Sequence, residues 1–360
     1  MEDYGNYSYE DYLEYGDVEE DRTAASASAQ IETLHVVSVV IYSVSFALGL
    51  IGNAAVIWVT ACRSKRSRSG VWLLNLAVAD LAFVLFLPLS IDYVLRDFHW
   101  RYGLAMCKLN SYVAAVNMYA SVLFLAVLSV DRYVSLAHAD RCRGWRVVSG
   151  RPLAVVCGTW TLSAALGLPT LVFRDVIKVH DRVYCYNNFS SHDREAAAAR
   201  HIIVVAVRTT VGFLLPFGAI CTTAILLLRK VKRSEGAVRV SSFSKMVSAV
   251  ILAFFLCWAP FHALSLMELS THTSRAGNLS AVLKTGFPLA TSLAFFNSCV
   301  NPMLYMFLHK RVRHILKRAC LEITKKSIRE INHSISASET SLVEDLPCSL
   351  SEVPVESSAL

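Results

Sequence analysis

Charge is what this chain has least of. Only 18% of its 360 residues are Asp, Glu, Lys or Arg, against 54% apolar ones. That leaves too little polar surface for a soluble globule of this size and makes a bilayer its solvent. Base is scarcest at the start, where the first 35 residues hold Arg22 alone. A basic, apolar, small-residue leader is therefore missing, and the first apolar stretch is expected to act as an uncleaved anchor. Heptads, internal repeats, inverted symmetry between halves and metal-type Cys/His spacings are missing too. Those absences speak against a coiled coil, a solenoid, a structural zinc site and a transporter built from inverted halves. Nothing points to an enzyme or to nucleic acid as a partner.

What the chain does have is seven apolar stretches, at 36–62, 71–95, 109–130, 152–173, 201–228, 246–267 and 285–308. About 20 helical residues cross a hydrocarbon core, and lipid satisfies no free peptide group, so each stretch is predicted to be a spanning helix. The expected fold is an all-α membrane protein, a seven-transmembrane helix bundle with a short amphipathic eighth helix. Residues 1–35 are expected to be an acidic, Tyr-rich disordered tail and 36–308 the bundle. Residues 309–322 would be the eighth helix and 323–360 a Ser/Thr-rich disordered tail.

Seven spans place the termini on opposite sides. The first loop carries Arg63, Lys65, Arg66 and Arg68, the third Arg141, Arg143, Arg146 and Arg151, and the fifth Arg229, Lys230, Lys232, Arg233, Arg239 and Lys245. Basic loops stay in the cytosol, so the N-terminus, with ten acids in 35 residues, is expected outside. Of ten cysteines only Cys107 and Cys185 then lie in oxidising surroundings, so they are expected to pair. Cys320 follows Lys310, Arg311, Arg313, Lys317 and Arg318, a setting for palmitoylation. The sequons at Asn6, Asn188 and Asn278 fall on the outer side, where N-glycosylation occurs.

Asp80 sits mid-membrane in the second stretch, where a charge costs several kcal/mol unless it faces a polar interior. Asn53, Asn117, Ser121, Asn297, Ser298 and Asn301 lie at similar depth on other stretches. Such a set suits an allosteric sodium ion at Asp80, and equally a hydrogen-bonded glue between helices. No other cofactor is expected.

Asp131-Arg132-Tyr133 ends the third stretch, Trp160 marks the fourth and Pro216 the fifth. Phe254 with Cys257-Trp258-Ala259-Pro260 lies on the sixth, and Asn301-Pro302 with Tyr305 closes the seventh. With Gly52-Asn53 and Leu76 to Asp80, this series resembles the rhodopsin-like G-protein-coupled receptors over residues 36–322. The resemblance implies an activation switch. Trp258 would sense a ligand and pass the change to Phe254, while Pro260 and Pro302 weaken their helices by removing a backbone bond. Arg132, paired with Asp131 at rest, would be released toward a heterotrimeric G protein. One departure is Ala224, where most such receptors carry the tyrosine that helps Tyr305 hold the arginine. Another is Val312, where an aromatic commonly anchors the eighth helix.

Ala114 and Phe295 replace the aspartate and lysine that amine receptors and opsins use, which excludes amines and retinal as expected ligands. What the outer half offers is cationic. Arg208 stands in an otherwise uncharged part of the fifth stretch and Arg174 ends the fourth, and two guanidinium groups suit a carboxylate. For Arg174, pairing with Asp175 is an equal alternative.

Tyr4, Tyr7, Tyr9, Tyr12 and Tyr15 alternate with acids, a setting for sulfation that would make the tail a grip for a basic protein. Together with His99-Trp100, Phe173-Arg174-Asp175, Cys185 to Phe189, Glu268-Leu269 and Leu293 to Tyr305, the tail resembles the chemoattractant branch and, within it, the chemerin-like receptors. This implies chemerin or a related secreted peptide as ligand at a plasma-membrane receptor, with Arg174 and Arg208 on its terminal carboxylate and Glu268 at the mouth. Coupling to inhibitory-class G proteins is implied as well. Ser334, Ser336, Ser338, Thr340 and Ser341 would form a phosphorylated cluster for arrestin.

Overall fold

The computed structural model describes residues 21–63, 68–137, 152–189, 193–233, 242–271 and 277–308, with 321, 325 and 328–330 beyond them. By contacts the chain divides into Met1–Lys310, which holds all the elements below, and Arg311–Leu360.

Among the described residues up to 308, seven helical segments follow one another. α1 is Asp21–Trp58, prolonged by a π-helical turn at Val59–Arg63. α2 is Arg68–Val84 and resumes as Leu87–Leu95. α3 is Gly103–Ala137 and α4 is Pro152–Phe173. α5 is Arg194–Thr209, a π-helical turn at Thr210–Leu214, then Leu215–Arg233. α6 is Ser242–Thr271 and α7 is Gly277–Leu308. Among the described residues α1 to α6 contain stretches long and apolar enough to cross a membrane. At about 1.5 Å per residue, the 22 residues of α4 rise about 33 Å, which matches a hydrocarbon core of about 30 Å. α1 begins at Asp21, well before the apolar stretch at 36, so helix extends into the segment expected to be a disordered tail.

Proline explains the interruptions. Pro88 has no N–H to donate, so α2 closes with tightened bonds, Phe86 N–H to Phe83 O at 2.9 Å, and restarts with Pro88 in its first turn. Pro216 cannot donate to Gly212, and the π-helical turn of α5 lies just ahead of it. α6 and α7 run as unbroken helix through Pro260 and Pro302.

α3 is the central post. Of its apolar window 56% is buried, against 17% for α4 and α5, which therefore turn most of their surface to lipid. Phe124, Leu125 and Leu128 of α3 pack with Leu76 of α2, Ile220 of α5, and Met246, Val250 and Phe254 of α6. Trp160 of α4 donates to Asn75 of α2 at 2.9 Å, closing that side. α1 meets α7 closely enough that a Cβ on Gly52 would stand 2.7 Å from Cγ of Pro302.

Beyond the helices lies a feature that an all-α reading did not foresee. β1 (Arg174–Val179) and β2 (Arg182–Asn187) form an antiparallel hairpin, in register from Arg174 opposite Asn187 to Val179 opposite Arg182. Val176, Ile177 and Val179 on β1 and Val183, Tyr184 and Tyr186 on β2 are β-branched or aromatic, a composition that suits strands, and Ile177 stands opposite Tyr184. The expected Cys107–Cys185 disulfide is present, with Cα atoms 5.8 Å apart, and ties β2 to the outer end of α3.

The tightness of the α1–α7 contact is testable. Gly52→Val should cost about 1–3 kcal/mol of stability, since a proline ring cannot yield as a flexible side chain would. Gly158→Ala, with nothing within 4 Å, should be neutral. Thermal unfolding of the detergent-solubilised protein compares the two.

Candidate functional site

The outer cavity mouth is built from β1, α3, α5 and α6. Arg174 Nε donates to Ser111 Oγ at 2.8 Å, and its Nη1 to the Cys185 carbonyl at 3.4 Å. Asp175 is engaged elsewhere, accepting from Val176 N–H at 2.8 Å and from Asn188 Nδ2 at 2.9 Å. The local pairing that would have made Arg174 merely structural is thus not formed. Arg208 Nη2 donates to Ser265 Oγ at 3.0 Å, and the guanidinium lies 4.8 Å from the centre of the Phe261 ring. Its Nε is buried without an acceptor. Among the described residues neither arginine has a carboxylate within ion-pair distance. Burial holds the pKa of Arg174 below its ordinary value, with Tyr93 opposing and the positive Arg208 adding to the effect.

Glu268 faces His201 across α5 and α6, with Oε2 to Nε2 at 3.7 Å. Phe189 stacks on His201 at 4.9 Å, and Phe173 follows at 5.1 Å, so an aromatic wall backs the pair.

Below the mouth, Phe261 meets Trp258 edge-on at 5.8 Å, and Trp258 lies 6.0 Å from Phe254. Because Phe261 also carries Arg208, a continuous line of contacts runs from a guanidinium at the mouth to the Trp258 indole. Phe254 is fully buried and ends in the core that surrounds α3.

Deeper still, the polar set converges as its depths implied. Asp80 is 0% exposed and accepts from Asn301 Nδ2 at 2.8 Å. Asn117 donates to Ser298 Oγ at 2.9 Å, Ser121 to Asn117 at 3.1 Å, and Asn53 to the Ser298 carbonyl at 2.9 Å. Among the described residues, Asp80 Oδ1, Asn297 Oδ1 and Asn301 Oδ1 are buried and meet no hydrogen-bond donor. A carboxylate and amide oxygens with lone pairs to spare are the donor set a hard monovalent cation takes.

At the inner end of α3, Arg132 donates to Ser69 Oγ, and Ser69 donates to Asp131 Oδ2 at 3.2 Å. A hydroxyl from α2 thus bridges the expected Asp131–Arg132 pair. Adjacent helical residues point about 100° apart, which favours an intermediary on a neighbouring helix over direct contact. Tyr133 follows them on α3. Tyr305 lies within α7, and its side chain is outside the described residues.

Comparison with known proteins decides the class. Residues 52–305 match the family model described as 7 transmembrane receptor (rhodopsin family). The chain belongs to that family. Among similar proteins, Chemerin-like receptor 2 of Macaca fascicularis is 39% identical over 339 residues, covering 94% of this chain and 93% of the relative. The Homo sapiens protein of the same name is 38% identical over the same coverage. Chemerin-like receptor 1 of Homo sapiens is 37% identical over 317 residues, 85% of this chain and 82% of the relative. As a rhodopsin-family, multi-pass membrane receptor it is not an enzyme.

Several expected sites of this receptor fall outside the described residues: Tyr4, Tyr7, Tyr9, Tyr12, Tyr15, Asn6, Cys320, Ser334, Ser336, Ser338, Thr340, Ser341 and nearly all of 309–322. Asn188 follows β2, and Asn278 opens α7. Sequence reading missed Ser69, Ser111, Ser265, Phe261 and Tyr93. Helical spacing held a signal for some of them, since Ser111 is one turn from Cys107, and Phe261 and Ser265 each follow a switch or core residue by three or four positions.

Tyr93 is the most accessible to test. Its hydroxyl accepts from the Cys185 N–H at 3.3 Å, outside the β1–β2 ladder. Tyr93→Phe should speed amide hydrogen exchange at Cys185 while leaving the disulfide formed, at a cost of about 1 kcal/mol to hairpin order. Exchange mass spectrometry on the purified receptor reads it.

Proposed function

We propose that this receptor binds a secreted peptide or protein through a free C-terminal carboxylate, with chemerin as the first candidate. The observation that carries the reading is the buried Nε of Arg208, a donor without an acceptor on a guanidinium that, among the described residues, has no carboxylate within ion-pair distance and feels Glu268 only from farther off. A charged group in such surroundings costs several kcal/mol unless something pairs with it, and a ligand carboxylate supplies charge and acceptors together. Arg174 stands as a second cation, and Glu268 with His201 lines the mouth above. The names of the similar receptors favour chemerin as the carboxylate's source.

The receptor sits with its acidic N-terminus outside and its basic loops in the cytosol. Sulfated tyrosines would hold the basic body of the ligand while the peptide enters the bundle. Trp258, Phe254, Pro260 and the Asn301-Pro302 segment carry the change inward, and Arg132 leaves Ser69 to meet an inhibitory-class G protein. A sodium ion at Asp80, held by Asn301 with Asn297, Asn117, Ser121 and Ser298 around it, would stabilise the resting bundle. Phosphorylation from Ser334 to Ser341 would recruit arrestin, palmitoylation at Cys320 would tether the inner tail to membrane lipids, and Asn6, Asn188 and Asn278 would carry glycans.

A second reading is a ligand-sequestering receptor that recruits arrestin but couples weakly to G proteins. Ala224 favours it. This residue follows the buried Pro216 and Ile220 at helical spacing, yet it is exposed and offers Arg132 no hydroxyl. A receptor for another carboxylate peptide or an acidic lipid mediator is the remaining alternative.

Arg208→Ala should weaken binding of chemerin's C-terminal peptide by at least about a hundredfold with surface expression unchanged, the loss expected for a desolvated charge pair. Unchanged affinity in a cell-surface binding assay refutes the carboxylate assignment. Ala224→Tyr should raise G-protein output at equal affinity; second-messenger measurement beside arrestin recruitment separates the signalling and sequestering readings, and no rise removes Ala224 as the cause of weak coupling.

A further inference from the structure

The two edges of the β1–β2 hairpin are treated differently by the fold. Along β2, Val183 donates its N–H to His99 Nδ1 at 3.1 Å and accepts from the Trp100 N–H at 2.7 Å. Cys185 donates to Tyr93 Oη at 3.3 Å and accepts from Arg174 Nη1 at 3.4 Å. These backbone groups point away from β1. In an antiparallel ladder, residues opposite one another turn their N–H and C=O groups the same way, either both inward or both outward. Lys178 opposite Val183, and Val176 opposite Cys185, therefore direct theirs away from β2.

On that outer edge of β1 little is taken. The Val176 N–H is held by the side chain of Asp175 at 2.8 Å, which caps it locally. Among the described residues the Val176 carbonyl and both backbone groups of Lys178 have no partner, and Lys178 is exposed. An unpaired edge of this kind is a template for another extended chain.

The edge also begins at the proposed ligand site. Arg174 is the first residue of β1 and one of the two cations at the mouth, and β1 runs from it toward the α2–α3 loop, where Arg182, opposite Val179, donates to the Asp97 carbonyl at 3.0 Å. A peptide whose terminal carboxylate sits at Arg174 and Arg208, and whose preceding residues lie along this edge toward Lys178, runs against the chain sense of β1. It therefore pairs antiparallel, the geometry in which backbone groups of Val176 and Lys178 meet those of a neighbour in closely spaced pairs. From Arg174 to Lys178 the edge is about 13 Å long, enough for about four ligand residues.

We propose that the ligand segment just upstream of the carboxylate binds as a third strand on the outer edge of β1, so that this receptor selects extended peptides over helical ones. The proposal rests on the carboxylate reading above and adds to it the conformation and backbone chemistry of the ligand. Main-chain bonds to Val176 and Lys178 supply affinity, and alternate ligand side chains point toward the bundle and toward solvent. The Asp175 cap on the Val176 N–H is released as the strand adds.

The test uses the full-length receptor on cells and chemerin's C-terminal peptide, free acid, with each backbone amide N-methylated in turn. Affinity should fall by about tenfold or more at alternate positions over the four residues upstream of the terminus, and hardly at those between. On the receptor side, Lys178→Pro removes an edge donor that the hairpin does not use, and should weaken the peptide about tenfold at unchanged surface expression. Losses without a two-residue period, or wild-type affinity for Lys178→Pro, overturn strand addition. The C-terminal carboxamide separates the two readings. If the amide binds weakly while N-methylation has no effect, the carboxylate site stands and the strand falls; if the free acid does not bind at all, both fall.

Discussion

A peptide group that faces hydrocarbon has nothing to bond to, so each span closes its backbone on itself and polarity is driven off the surface. What polarity the spans carry is then forced inward, onto helix-to-helix contacts. Asp80, Asn301, Asn117, Ser121, Ser298 and Asn53 form one such set, linking α1, α2, α3 and α7 by side-chain bonds. Arg132 with Ser69 and Asp131 forms another between α2 and α3, and Trp160 with Asn75 a third between α4 and α2. The outward faces of α4 and α5 need only be apolar, which is why Leu153, Val172 and Leu215 stand exposed without penalty.

The same solvent made the architecture easy to read and the site hard. Hydropathy has a period and a length, so α4 was delimited to the residue and the other spans to within a few turns. Compartment logic found Cys107 and Cys185 because the basic loops fix which span ends face the cytosol, leaving only these two cysteines on the other side. The hairpin escaped because its strands are six residues each and sit between two long apolar runs, where alternation over so short a window is a weak signal. The helical start at Asp21 escaped because hydropathy marks where lipid begins, not where helix does. Ser69, Ser111 and Ser265 escaped for a different reason. A serine has no characteristic spacing, and its importance lies in which arginine it meets from another helix, which only the packing decides.

Charge at the outer mouth follows the opposite logic from the core. Asp80 is surrounded by amides that can turn either end toward it. Arg174 is instead held by a hydroxyl and a backbone carbonyl, and Arg208 by a hydroxyl and a ring face, contacts that position a guanidinium but carry no full negative charge. Asp175 would have neutralised Arg174, but its carboxylate is consumed by Val176 and Asn188. Fixing the acid into the loop backbone is what leaves the adjacent base available.

The two-residue interruption at Leu85 and Phe86 has a mechanical meaning for the whole outer surface. Leu87–Leu95 is tied to the hairpin through Tyr93, and Arg68–Val84 contains Asp80 and Ser69. A single unbroken hydrogen-bond ladder would transmit any twist of the loop assembly straight down to the carboxylate. Here the ladder changes pitch instead: Leu85 still donates to the Leu81 carbonyl at 3.1 Å, Phe86 tightens onto Phe83 and Leu89 onto Phe86, while Phe83, Val84 and Leu87 share one buried cluster that ties the two pieces together. α6, by contrast, is one helix from Ser242 to Thr271, with Pro260 inside it.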